Sequence, residues 1–421
     1  MAIYGKEISA LDTTDIAELL KEGAVENIRL EFKKEIPGKD ETLKKLSSFA
    51  NTYGGYLIVG AEADNDGRLL ALDGVLVESN YKQRIVQWCF DSLAPPVQPF
   101  VSDPIPAPGN SVQVVYVVYV EESAETPHFI NSRKGCYIRT DEFSQRFEPR
   151  LATYDDIQHL ANRRLGAEKR REGLYDRANQ RFETYVRLDY QETPDIVGNI
   201  GATLKVAVSP RYPITPLVEQ AALQTVIERS QLAFRGTRFP MHSHQGVHQF
   251  ESIIFPNALG IFSMFDLSIW GQTFYAVELE EEVKEENKDA RLGVRLLKFV
   301  SDLLLCIHHS RSILLNMGYM GSLQISVRLD RVLRIPFWRP RYRRMDYAPW
   351  ITDPTSRFEA EIGFSNNTDT RELTANADAV ARNLLRVALH AIDWPDAGSD
   401  DELNRLINAA YHYNHWQRPE E

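Results

Sequence analysis

The sequence predicts a mixed fold in two parts: an α+β or α/β domain over residues 1–165, and a second mixed α/β domain over residues 196–421 that closes in a helical tail. Three observations predict it. Short apolar runs of strand type alternate with amphipathic stretches of helical period through the first part. A charged helical stretch, residues 166–195, separates this part from the rest. The 421 residues exceed one ordinary domain.

In order, "DTTDIAELLKEG" is a helix that Asp12 or Thr13 can cap and Gly23 can stop. "NIRLEFKKE" alternates as a strand, with Leu30 and Phe32 on one side and Glu31 and Lys33 on the other. "KDETLKKLSSFANTYGG" is a helix with Leu43, Leu46, Ala50 and Tyr53 as its apolar stripe, and Lys44, Lys45 and Ser48 opposite. Gly54 and Gly55 close that helix, and Gly55 lets the backbone pass close to a neighbour. "YLIVG" is a central strand, and "GRLLALDGV" an edge strand and turn. "YKQRIVQWCFDSL" is a helix stopped by Pro95-Pro96, "SVQVVYVVYVEES" a long strand, and "FINSRKGCYIRTDEF" a hairpin-like return. A charged helix begins at Tyr154. In the second part, "GATLKVAVSP" is a strand and "PLVEQAALQTVIERSQ" a helix, with several strands between Phe250 and Glu280. A helix over 290–317 with a stripe from Leu292 to Ile307, a strand "SLQISVRLDRVLRIPF" and two tail helices around "DWPDAGSDDE" complete the reading.

Composition is 43% hydrophobic and 25% charged, that of a soluble globular chain. The opening residues lack the pattern of a signal peptide, and no apolar run is long enough to span a bilayer, so a cytoplasmic protein without a membrane partner is expected. Three cysteines far apart fit neither a disulfide framework nor a zinc site. The net charge of -11 argues against non-specific grip on nucleic acid and leaves local clusters to decide. No G-x-x-x-x-G-K-[ST] loop exists, so nucleotide hydrolysis finds no support.

Carboxylates frame the stretch from Leu30 to Asp64. Glu31 and Lys33 share a strand face, Glu62 ends the next strand, and Glu26 has the wrong parity for one straight strand and must arrive from the preceding turn. Three acids converging from strand ends can hold Mg²⁺ or Mn²⁺, and a nearby Lys can stabilise charge on a phosphate oxygen. Charged strand ends are as often simply solvated.

Glu31-Phe32-Lys33, then Ala50-Asn51-Thr52-Tyr53-Gly54-Gly55, then Gly60-Ala61-Glu62, with Arg139 in a later Tyr-Ile-Arg element, resemble the Schlafen-type AlbA domain over about residues 10–165. The resemblance implies a metal-dependent endoribonuclease acting on tRNA or other structured RNA, in antiviral or stress defence. It implies Glu26 and Glu31, five residues apart, and a third acid, Glu62 or in its place Asp64, as catalytic and metal residues, with Lys33 beside them. Many bacterial relatives lack the full acidic set and bind nucleic acid without catalysis, so a non-catalytic regulator or an interaction subunit of a defence complex stays open.

Lys33, Lys34, Lys44, Lys45 and Arg139 are expected to meet RNA. Arg163, Arg164, Lys169, Arg170 and Arg171 are read either as a solvated helix face or as a track for phosphates. The Arg- and aromatic-rich segment from Arg328 to Trp350 suits an interface or looped RNA, and the interface reading is preferred. His242, His244 and His248 are read as polar surface, with a metal site as the rival. One copy of the motif set per chain leads to the expectation of a homodimer or larger homo-oligomer.

Overall fold

The structure is a computed structural model. It describes all residues except 1, 4–5, 124, 133–134, 141–147, 193–200, 214, 235, 241–245, 260–261, 284–290, 320, 339–354, 357 and 414–421. It divides into two compact units, 1–167 and 168–421.

The first unit begins with β1 (Ala2–Ile3), β2 (Lys6–Glu7) and α1 (Thr13–Lys21). Asp12 caps α1, accepting from the N–H groups of Thr14 and Asp15 in a full capping box. Next come β3 (Leu30–Lys33), α2 (Lys39–Asn51), β4 (Gly55–Val59), β5 (Glu62–Ala63), β6 (Leu69–Ala71), β7 (Val75–Leu76) and α3 (Tyr81–Ser92). Then follow β8 (Leu93–Ala94), β9 (Pro99–Val101), β10 (Ile105–Ala107), β11 (Asn110–Val120), β12 (Phe129–Ile130), β13 (Gly135–Ile138) and β14 (Arg150–Leu151).

Among the described residues the main sheet has the path β10-β11-β4-β3, with β7 and β9 also on β11. β3 and β4 pair in parallel, Leu30 with Tyr56 through Lys33 with Val59, and α2 is the crossover that such pairing requires. The apolar run of β11 is explained by burial on both faces. Tyr116 and Val118 pack with Leu43, Leu46 and Phe49 of α2 and Ile85 of α3, whereas Val115 and Val117 pack with Ile16 and Leu19 of α1. The expected hairpin-like return is β12 and β13, with Phe129 opposite Cys136.

α4 (Tyr154–Glu192) starts in the first unit and ends in the second. The second unit continues with β15 (Thr203–Pro210), α5 (Leu223–Ser230), β16 (Leu232–Phe234), β17 (Thr237–Phe239), β18 (Val247–Gln249), β19 (Ser252–Pro256), β20 (Ser263–Ser268) and β21 (Thr273–Glu278). It closes with β22 (Glu280–Val283), β23 (Arg291–Arg295), α6 (Leu296–Asn316), β24 (Ser322–Asp330), β25 (Phe337–Trp338), β26 (Glu361–Asp369), α7 (Thr370–Ala375), α8 (Ala377–Ala391) and α9 (Asp400–Tyr413). Its described centre is a seven-stranded antiparallel sheet, β18-β19-β20-β21-β15-β24-β26. The large core joins this sheet to α5, α6, α8 and α9, while Ala178, Phe182 and Val186 of α4 pack with Ala207, Met264 and Phe274 in a smaller one.

Two expectations in this unit change. The helix expected over 290–317 begins only at Leu296, because Leu292 belongs to β23. The strand expected from Ser322 to Phe337 ends at Asp330, where Arg331 turns the chain with a φ of 59°. No described helix is long and apolar enough to cross a membrane.

Candidate nucleic-acid interface

The stretch from β3 to β4 sets the candidate site. Asn27 and Leu30 exchange backbone hydrogen bonds, so the chain folds back on itself just before β3. That reversal solves the parity problem of Glu26: its Oε1 accepts from the Phe32 N–H at 2.8 Å and serves the free edge of β3. Its backbone N–H in turn donates to the Gly67 carbonyl. Burial raises the pKa of Glu26; the Phe32 hydrogen bond opposes this, and the nearby charge of Glu31 adds to it.

Glu31 lies inside a cage of cations. Lys45 approaches its Oε1 to 2.5 Å and Lys33 the same oxygen to 2.8 Å, while Arg139 donates to Oε2. Glu31 is 4% exposed, Lys45 3% and Arg139 2%. Arg139 also donates to the Asn27 carbonyl and lies over the Phe49 ring, 4.2 Å from its centroid. Burial alone would push the Glu31 carboxyl up, but Lys45, Arg139 and Lys33 together outweigh it and bring the pKa down to about 2. The same pairing raises Lys33, against the pull of its own burial.

Glu62 and Asp64 go elsewhere. Glu62 pairs with Lys34 at 2.9 Å, the lysine exposed and the glutamate half-buried. Asp64 caps the turn between β5 and β6, accepting from the N–H groups of Asp66 and Arg68. Glu26 and Glu31 are thus brought within electrostatic reach of one another. Among the described residues, no three His, Cys, Asp or Glu side chains form a group that could hold a metal. The donors do not fit a divalent ion here: both Glu31 oxygens already face cations, and ligation would leave Lys45 and Arg139 buried without their counter-charge.

Several expected RNA contacts change for physical reasons. Lys45 and Arg139 cannot reach a backbone phosphate from the core. The face of α2 opposite its stripe is not solvated, because α2 also packs on β12 and β13; Ser48 is buried with Lys45, and Lys44 sits half-buried near the Tyr137 ring. Tyr53 leaves the stripe and is 50% exposed, beside Arg29. Arg163 grips the end of α2, donating to the carbonyls of Asn51, Thr52 and Ser123 and pairing with Glu122 at 2.7 Å. Arg170 and Arg171 bond the carbonyls of Pro213 and Arg211 in the second unit. Arg164 is half-buried, and Lys34 and Lys169 remain exposed.

Elsewhere, Arg328 pairs with Asp330 and Glu361, Arg331 pairs with Glu183, and Phe337 is buried against Phe299. Residues 339–350 of the segment from Arg328 to Trp350, and His242 and His244, lie outside the described residues; His248 is exposed on β18.

Sequence reasoning missed what the Ala-Asn-Thr element does. Asn51 accepts from the His128 N–H and donates to the carbonyls of His128 and Tyr137, tying α2 to β12 and β13. Thr52 Oγ1 accepts from the Arg139 N–H and donates to the Ser48 carbonyl. An Asn closing a helix just before a Gly-Gly was the available signal.

The site is thus a sheet edge with a cation-bound glutamate behind an Asn-anchored helix. Residues 26–148 match the family described as Schlafen, AlbA_2, and the N-terminal unit carries a Schlafen AlbA_2 domain. No curated protein matches the chain. Among solved structures, a DIP2311 protein from Corynebacterium diphtheriae is 19% identical over 32% of this chain and 29% of its own, with a TM-score of 0.23, a likeness that carries no argument.

Proposed function

We propose that the protein is a nucleic-acid-binding regulator that engages RNA through its N-terminal unit without cutting it. The observation that supports this reading is how the nuclease-like carboxylates are satisfied: Glu31 by three cations, Glu26 by a backbone N–H and Glu62 by Lys34. Lys33 at the end of β3 and the exposed Lys34 beside it are the cations we assign to phosphate. A single copy of the motif set per chain supports a homodimer on one RNA, which light scattering with and without tRNA checks.

The second reading is a metal-dependent endoribonuclease acting on tRNA in defence. The proximity of Glu26 and Glu31, close enough for one to raise the pKa of the other, favours it. One experiment separates the two. The full chain is incubated with total tRNA in Mn²⁺, in Mg²⁺ and in EDTA, then followed by gel shift and denaturing gel. Retarded but intact tRNA in all three supports the regulator. Cleavage that needs the metal and disappears in Glu26→Gln replaces it with the nuclease.

A further inference from the structure

The seven-stranded sheet of the second unit ends differently on its two sides. At one end β18 is only three residues long. At the other, β26 runs for nine residues without a bulge, in register with β24 from Glu361 opposite Asp330 to Asp369 opposite Ser322. Among the described residues no strand pairs with its outer side. An antiparallel ladder alternates, so its phase fixes which backbone groups are unused. The Thr370 N–H donates to the Gly321 carbonyl, one step beyond the last registered pair. Thr368, Asn366, Phe364 and Ile362 therefore bond inward to β24. The backbone N–H and C=O groups of Gly363, Ser365 and Asn367 face outward, and all three residues are exposed.

Native sheets blunt such an edge with a short strand, a proline, a lysine or a bulge. β26 has none of these. Gly363 adds a second observation. A glycine inside a strand weakens it, and marks a bulge, a bend or the close approach of another backbone. Here the register is unbroken, φ lies outside the left-handed region, and a Cβ would meet nothing within 4 Å. Nothing among the described residues accounts for the glycine. Opposite it on β24 stands Arg328, 40% exposed and paired with Asp330 and Glu361.

We infer that β26 is a docking edge for β26 of a second copy of this chain, antiparallel about a two-fold axis at Ser365, so that two sheets become one. The edge is complementary to itself in this register. Ser365 meets Ser365, Gly363 meets Asn367, and the outward backbone groups of the two copies exchange hydrogen bonds. The register also sets Glu361 beside Asp369 of the second copy, two like charges that would repel. Arg328 answers them. It lies on the same face of the sheet as Gly363, and with no side chain at that position its guanidinium extends from Glu361 across the edge to the incoming carboxylate. This match of charge, repeated at both ends by the two-fold, favours a second copy over an unrelated peptide. The inference gives a surface to the homodimer proposed above and requires no RNA.

The test is light scattering on the full chain over a dilution series, without nucleic acid and again with tRNA. Wild type is expected to be a dimer in both. Ser365→Pro removes an N–H that β24 does not use and is expected to give a monomer. Ser365→Lys sets two like charges face to face on the axis and is expected to do the same. It decides should the proline variant fail to fold. Cysteine cross-linking, with copper–phenanthroline as the oxidant, reads the register. The three native cysteines are buried. Ser365→Cys is expected to give a disulfide-linked dimer. Asn367→Cys is expected to give none, because its two copies would stand four residues apart along the strands, roughly 13 Å. Wild type that stays monomeric, a dimer that forms only on tRNA, Ser365 variants that remain dimeric, or cross-linking through Asn367→Cys in place of Ser365→Cys overturns the docking edge. None of these outcomes touches the nucleic-acid reading, which fails separately if wild type does not bind tRNA.

Discussion

Arg139 carries a guanidinium with no exposed surface, and its charge is tolerated only because Glu31 faces it. Removing one member of such a buried pair leaves the other uncompensated, at a cost of about 3–5 kcal/mol. Arg139→Ala is therefore expected to destabilise the first unit by that amount, read by urea unfolding with hydrogen exchange on the amides of β3 and β4. Arg139→Lys is expected to recover little, because an ammonium cannot reach Glu31 and the Asn27 carbonyl together as the planar fork does. Lys34→Ala, at an exposed pair, is expected to leave the transition where it is. The half of the cage on one strand was legible, since Glu31 and Lys33 share a face by the period of two. Lys45 and Arg139 were not: they arrive from α2 and from the end of β13, 14 and 108 residues away along the chain, and no local pattern encodes that meeting.

Among the elements, the turn from α2 into β4 tolerates least. Gly54 has a φ of 70°, and a Cβ there would stand 2.7 Å from the Glu122 nitrogen and 2.8 Å from the Val120 oxygen. A Cβ on Gly55 would press into the Phe49 ring and come within 2.7 Å of the Arg29 oxygen. Gly54→Ala combines about 1–3 kcal/mol of backbone strain with that clash. Gly166, inside α4 with open space around it, behaves oppositely: Gly166→Ala is expected to stabilise by about 1 kcal/mol, seen as a raised melting temperature. The second half of α4 is fixed to the sheet through Arg181, which pairs with the buried Asp266 at 2.7 Å. Burial already raises the Asp266 pKa while Arg181 opposes it, so Arg181→Ala is expected to cost more than Asp266→Asn, compared by thermal melts. The strand–helix–strand order here was readable from period and glycine punctuation. The burial of the face of α2 that carries Lys45 and Ser48 was not legible, because periodicity reports one buried face and is silent when strands such as β12 and β13 cover another.

Across the whole molecule, each unit buries a neutral histidine. Burial lowers His128 to about 4, only partly opposed by its hydrogen bond to the Pro95 carbonyl, and lowers His309 to about 3. The unfolded chain takes up these protons near pH 6.5 and the folded chain only below those values, so stability is fully present above pH 6.5 and falls as pH drops toward 4. The expected slope is about 1.4 kcal/mol per pH unit for each histidine. Urea midpoints from pH 7 to 4 check it, and a His128→Gln variant that still folds should show a shallower decline in the first unit. The second unit as a whole was the least legible part. Its sheet pairs Thr203 with Asp330 and Thr203 with Glu278, contacts between segments far apart in the chain that composition and period cannot join.

Asn51 closes a different question. Its side-chain amide imitates a peptide group, exchanging hydrogen bonds with the backbone of His128 and reaching on to Tyr137, as an extra strand residue would. The six-letter signature that begins at Ala50 is thus an address for an architecture. The chemistry is read instead from the company that Glu31 keeps.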